Sequence, residues 1–348
     1  MKIRDSFSAK KSNYNLVSIY RNELYGISIL WIMLFHGYLC EVSYFQNLPI
    51  INYVGRFIQY GNMGCEVFII LSGICLYFSF HNKPDIRSFF KKRILRVFPS
   101  ILLICGPYWG WMLIHQEISL SDFVTRLFTI RFWAVGDQQI WFISFILLCY
   151  FLYPYIYYCI FSGSGKTKIS AICLTILAIV LTFAIRQEYP AIYENIEIAI
   201  TRFPAFILGC FLGKYVYEKK EFSTLWWFVW IAGFIFCFSI LELDILHNIY
   251  RRYFYLVGGI SITFLFAGLV NWLPEFLKAC FPFLGNHSLE LYLIHIILIR
   301  LYKKNFLLHY APGSAGKYLL LLCIAICIAW GIQMLRHFIA WGFHKIRR

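Results

Sequence analysis

The chain has 348 residues, 60% of them hydrophobic and 20% aromatic, with only 14% charged and a mean hydropathy of +0.66. A soluble domain is about 45–50% apolar and about 25% charged, so these values exclude an ordinary soluble fold and indicate an integral membrane protein. The formal net charge of +15 would suggest a nucleic-acid partner in a soluble chain. Here the basic residues fall between apolar spans, where they orient helices and meet anionic headgroups, so no nucleic acid is expected.

The opening MKIRDSFSAKK is polar and lacks a short apolar core with a cleavage site, which predicts no removable signal peptide. Apolar runs of helical length, broken at charged or Pro/Gly-containing segments, then predict about ten transmembrane helices. Their approximate limits are 23–40, 57–80, 94–114, 139–160, 169–185, 199–217, 224–241, 252–270, 284–301 and 318–341. The fold class expected is all-α, one polytopic membrane bundle, with a basic segment 1–22, a membrane domain 23–341 and a basic tail 342–348.

Lys and Arg are retained in cytoplasmic loops. Lys2, Arg4, Lys10, Lys11 and Arg21 precede the first span; Lys83, Arg87, Lys91, Lys92, Arg93 and Arg96 lie between the second and third. Lys166, Lys168, Lys219, Lys220, Lys345, Arg347 and Arg348 fall on the same side, so both termini are predicted to be cytoplasmic. The opposite loops carry Glu41, Asp122, Asp137, Glu188, Glu194, Glu197, Glu242 and Asp244. Arg126, Arg131, Arg186, Arg251, Arg252, Lys303 and Lys304 break the pattern there, either as ligand contacts or as tolerated charges. The twelve cysteines lie mostly in apolar runs with no CxxC and no metal-ligand spacing, which predicts packing roles, no disulfide framework and no metal site.

Ionisable groups inside a membrane helix are costly and therefore functional candidates. His36 follows Glu23 by 13 residues and lies roughly 20 Å into the membrane by helical rise. Glu66 and His295 come out at roughly 14 Å and 16 Å, so the three are expected to share one polar cavity. A neutral imidazole there can accept a proton from a hydroxyl, and a carboxylate can orient it, which suits acyl transfer to an alcohol. Each histidine also fits a simple interhelical hydrogen bond. Glu290 is five residues before His295, about 140° around the helix, and reads as structural or secondary.

At the cytoplasmic entrance of the third span, FFKKRILRVFP sets Arg93 and Arg96 at i, i+3. Guanidinium groups at a helix N-terminus suit phosphate, and they equally suit an anchor on lipid headgroups. A third group, Ser72, Trp141 and Arg202, supplies possible acceptor or cavity residues, with Arg202 expected to snorkel at the outer interface or meet an anionic acceptor. Gly61, Gly64 and Gly73 indicate close helix packing.

YRNELYGISILWIMLFH at 20–36, GNMGCEVFIILSG at 61–73, RILRVFP at 93–99, IWFISFILLCYFLYP at 140–154, RFPAFILGCFLG at 202–213 and LGNHSLELYLIH at 284–295 resemble, in order, the integral membrane acyltransferase 3 family of bacterial O-acyltransferases. The resemblance runs over nearly the whole chain. It implies ten helices in the bacterial inner membrane, cytoplasmic acetyl-CoA as co-substrate with no permanently bound cofactor, and an envelope glycan or lipid-linked sugar as acceptor. By the same resemblance His36 matches the family's essential histidine, Arg93 and Arg96 its donor-linked arginine pair, and Arg21 the arginine before the first helix. Many members carry an acidic residue after the Trp-Phe of the fourth helix, where this chain offers Phe145; that strengthens Glu66 as a partner of the histidine, with Glu66 or His295 expected to tune or orient it. The sequence carries no appended periplasmic hydrolase-like domain and is similar to the short members. A polytopic glycan or lipid transporter without acyl-transfer activity fits the midplane charges as well, although no inverted repeat is found. A polysaccharide polymerase would need larger outer loops.

Overall fold

The computed structural model describes residues 13–40, 49–82, 84–163, 165–243, 248–303 and 314–346. The basic N-terminal residues Lys2, Arg4, Lys10 and Lys11, together with Glu41, Lys83, Asp244, Lys304, Arg347 and Arg348, lie outside the described residues. In chain order the main helices are α1 (Arg21–Cys40), α2 (Pro49–Gln59), α3 (Gly64–His81), α4 (Ile86–Ser100), α5 (Gly106–Ile114), α6 (Leu120–Leu127), α7 (Ile130–Val135) and α8 (Trp141–Phe161). There follow α9 (Thr167–Glu188), α10 (Pro190–Ile200), α11 (Phe203–Tyr217), α12 (Leu225–Glu242), α13 (Asn248–Trp272), α14 (Cys280–Asn286), α15 (Ser288–Lys303) and α16 (Ser314–Ile346). Among the described residues the regular elements are all helices, apart from one isolated β-bridge between Asn13 and Glu221.

Among the described residues, seven helical stretches are long and apolar enough to cross a membrane, and a bent pair, Glu275–Asn286 with Ser288–Tyr302, makes an eighth if it counts as one span. Their environments differ. The Gly61–His81 stretch is 78% buried within the protein, whereas Thr167–Glu188 is 11% and Leu225–Glu242 is 17%. The first is therefore the axis of the bundle, and the other two form its lipid-facing wall. Ile169, Ile172, Ile176 and Val180 make a stripe at helical spacing on that wall, each more than half exposed.

Small residues set the tightest crossings. On α3 and α11, a Cβ on Gly73 would lie 2.6 Å from the Cys210 nitrogen, and one on Gly209 would lie 2.5 Å from the Ile70 carbonyl oxygen. These backbones touch, the packing that membrane helices use in place of a hydrophobic driving force. The same device joins α1 to α14: a Cβ on Gly26 would meet the Phe281 carbonyl oxygen at 2.2 Å, and one on Gly285 that of Asn22 at 1.8 Å.

Several expected spans are interrupted where local chemistry demands it. The third contains Pro99, which has no N–H to give and whose ring crowds the preceding turn; the helix continues past Ser100 as a π-turn, Ile101–Cys105, before α5. The ninth, expected as one helix from Leu284, breaks at His287 with a bend of 71° between its halves. The sixth starts earlier, at Pro190, and turns at Thr201–Arg202 before α11, which puts Arg202 at that helix's N-cap.

Candidate active site

His36 on α1 and His295 on α15 meet inside the bundle, with His295 Nε2 3.2 Å from His36 Nδ1. His295 is buried, its Nδ1 is 2.8 Å from the Leu291 carbonyl oxygen, and the Tyr292 ring stands edge-on to it at 5.7 Å. A carbonyl only accepts, so His295 Nδ1 must carry the proton and donate it. In the neutral ring Nε2 is then the acceptor, and His36 Nδ1 must donate to it. That relay fixes the neutral His36 as the tautomer whose lone pair lies on Nε2, the form a general base requires.

Two chambers with lining residues in common lie near this pair. The outer one has about 840 Å³ of empty space and is lined by Arg21, Asn22, Arg93, Arg96, Ser79 and Asn286, among others. The inner one is narrower and is lined mainly by apolar side chains including Ile29, Ile32, Phe68, Phe142 and Tyr292. Tyr25, Cys75, Arg93 and Arg96 line both. The three arginines singled out in the sequence thus converge from two separate segments on one vestibule. Arg93 is held over the rings of Phe89 and Tyr150, at 5.4 and 5.7 Å. Asp85 caps the start of α4 by accepting from the Arg87 backbone N–H at 3.1 Å.

Helical periodicity explains the inner wall. Cys65, Phe68, Ser72 and Cys75 occupy one stripe of α3, while Phe142, Ile143, Ile146 and Tyr150 face them from α8. The break at His287 brings the start of α15 into the wall, so that Ser288, Leu289 and Tyr292 complete it. Ile32 is one turn before His36 and Tyr292 three residues before His295, so the inner chamber ends about one turn short of the imidazole pair. Glu290 accepts a hydrogen bond from Ser100 Oγ at 3.0 Å and braces α15 against α4.

The acyltransferase 3 family model, an acyltransferase domain, matches residues 24–334. The chain belongs to this family. It is a multi-pass membrane acyltransferase. No curated protein and no solved structure matches the chain.

Glu66 lies elsewhere than on the cavity stripe of this acyltransferase. Its carboxylate Oε1 is 2.7 Å from Arg202 Nε, and both side chains are only 2% exposed. The indole of Trp141 covers the Arg202 guanidinium at 4.8 Å, and Arg202 Nη1 donates to the Ile198 carbonyl at 2.6 Å. Arg202 therefore does not snorkel to an interface: a carboxylate and an aromatic face inside the bundle compensate its charge. Phe145, at the position where an acid was missing, is fully buried against Phe203 at 6.2 Å. Of the third group only Ser72 lines the inner chamber; Trp141 and Arg202 belong to the ion-pair assembly. Sequence reasoning passed over Tyr25, Cys75 and Tyr150. Their signal was faint: Tyr25 follows Arg21 by one helical turn, and so lies on the same face of α1.

Proposed function

We propose that this acyltransferase moves an acetyl group from cytoplasmic acetyl-CoA to a hydroxyl of a cell-envelope glycan, working as a ten-helix protein of a bacterial inner membrane with both termini in the cytoplasm. The observation that carries the reading is a vestibule with three arginines and a mainly apolar chamber that share Tyr25, Cys75, Arg93 and Arg96 in their walls, with the histidine pair about one helical turn beyond the chamber. Guanidinium groups suit the phosphates of coenzyme A, and the apolar chamber suits the pantetheine arm. Cys75 in the shared wall and Cys65 in the inner chamber are ten residues apart on α3, about 15 Å by helical rise. The pantetheine arm has about as many chain atoms as four residues, which span about 14 Å when extended. Phosphates on Arg21, Arg93 and Arg96 would therefore bring the thioester to the far end of the inner chamber, about one helical turn from the imidazoles.

His36 Nε2 takes the proton of the sugar hydroxyl as its oxygen attacks the thioester carbonyl. His295 Nε2 accepts from His36 Nδ1 throughout, holds the ring, and stabilises the imidazolium. Collapse of the tetrahedral intermediate breaks the C–S bond, and His36 returns the proton to the coenzyme A thiolate. Glu66 is assigned to bracing α3 against α11 through Arg202 rather than to proton transfer. Purified protein in nanodiscs, incubated with radiolabelled acetyl-CoA, should release coenzyme A and transfer label to a glycan acceptor. A protein that binds no acetyl-CoA would instead be a transporter or another enzyme.

A further inference from the structure

At the end of the bundle opposite the vestibule, reached through α4 and α5, lies a second charged assembly that the transfer chemistry does not use. Arg126 on α6, Arg131 on α7 and Arg300 on α15 converge on Asp137, with Nη2 of Arg126 at 2.9 Å, Nε of Arg131 at 3.5 Å and Nη2 of Arg300 at 3.8 Å from its carboxylate. Asp122 also pairs with Arg131. Three guanidinium groups thus face two carboxylates, and Arg300, the most loosely held, is 40% exposed.

The hydrogen-bond inventory has an excess of donors. Gln139 is 3% exposed, and its Oε1 accepts from Trp109 Nε1 at 3.2 Å and Arg126 Nη1 at 2.8 Å. That fixes the orientation of the amide and leaves its buried Nε2 with no acceptor among the described residues; Nε of Arg126 and Nε of Arg131 likewise make no hydrogen bond, so three such donors stand against one acceptor in the same state, Asp137 Oδ2. Gln139, Arg126, Arg131 and Asp137 line a small cavity. Buried donors without acceptors are costly, and an anion with several lone pairs would satisfy them together. Arg300 stands five residues beyond His295 on the same helix, about 7.5 Å along its axis.

We propose that this assembly is an anion subsite on the acceptor side, in which Arg126, Arg131, Arg300 and the Gln139 amide take a carboxylate or phosphate carried by the sugar, so that acidic acceptors are selected. Its link to acetyl transfer rests on the function proposed above; the anion binding itself does not. The test uses the full chain in phosphatidylcholine nanodiscs, with calorimetric titration of digalacturonate, glycerol phosphate and neutral galactobiose, and acetyl-CoA titrated separately. Binding of at least one anion, at least tenfold tighter than galactobiose and weakened at least tenfold by Arg300→Gln, is expected, with Arg300→Lys retaining part of it. Which anion binds distinguishes a carboxylate from a phosphate acceptor. Equal affinity for galactobiose, or anion binding indifferent to Arg300→Gln, overturns the subsite even if acetyl-CoA binds normally. Loss of acetyl-CoA binding in the parent protein overturns the proposed function and leaves the anion titration to be judged by itself.

Discussion

Nε2 of His295 lies 3.2 Å from Nδ1 of His36, across 259 residues of sequence. The far nitrogen of His295 faces the Leu291 carbonyl at 2.8 Å, so protons are ordered along the chain Leu291 oxygen, His295, His36. In the proposed mechanism His36 acts as the base and His295 positions it.

Replacing His36 with Ala should remove acetyl transfer, because general-base catalysis is worth about 10²–10⁴-fold. His295→Ala should lower kcat with little change in the KM for acetyl-CoA and should shift the pH profile of kcat. Steady-state kinetics over a pH series on variants that elute as folded protein checks both. A His295→Ala profile identical to the parent's would remove the positioning role.

The vestibule predicts a binding effect without a chemical one. A hydrogen bond to a charged group contributes about 1.5–3 kcal/mol, so Arg93→Ala and Arg96→Ala should each weaken acetyl-CoA about 10–100-fold. Equilibrium titration of the donor measures this directly, and unchanged affinity in both variants would take the phosphates off these arginines.

For the Glu66–Arg202 pair the expected phenotype is structural. Removing one partner leaves the other charge buried, so Arg202→Met alone should cost about 3–5 kcal/mol, whereas Glu66→Leu combined with Arg202→Met should recover most of it. Thermal unfolding in detergent reads both. A Glu66→Gln protein as stable as the parent yet inactive would return Glu66 to proton transfer.

The crossing of α1 and α14 is similarly unforgiving. Because an added Cβ at Gly285 would sit 1.8 Å from a backbone carbonyl oxygen, Gly285→Ala must push the helices apart and should cost about 1–3 kcal/mol. Gly285 also lines the vestibule beside Arg21 and Asn22, so donor affinity should fall together with the melting temperature. Gly331, with open space around it, is the control: Gly331→Ala should leave both unchanged.

Composition and apolar run length by themselves determined that this is a helical membrane protein and where most spans lie, because a bilayer accepts little besides long apolar helices. Buried charge likewise made His36, Glu66 and His295 visible, since ionisable groups in such helices carry a cost that calls for a reason. Tertiary structure alone decided how they pair. Helical rise gives depth, yet it says little about which face of one helix meets which face of another. Glu66 was near the right depth for the histidine but turned toward α11, where Arg202 lies, while His295 turned toward His36. The bend at His287, which brings Ser288, Leu289 and Tyr292 to the wall of the inner chamber, likewise appears only in the fold. For the same reason the charges of Arg126 and Arg131 read in sequence as exceptions to a loop rule, and only the fold gathered them, together with Arg300, around Asp137.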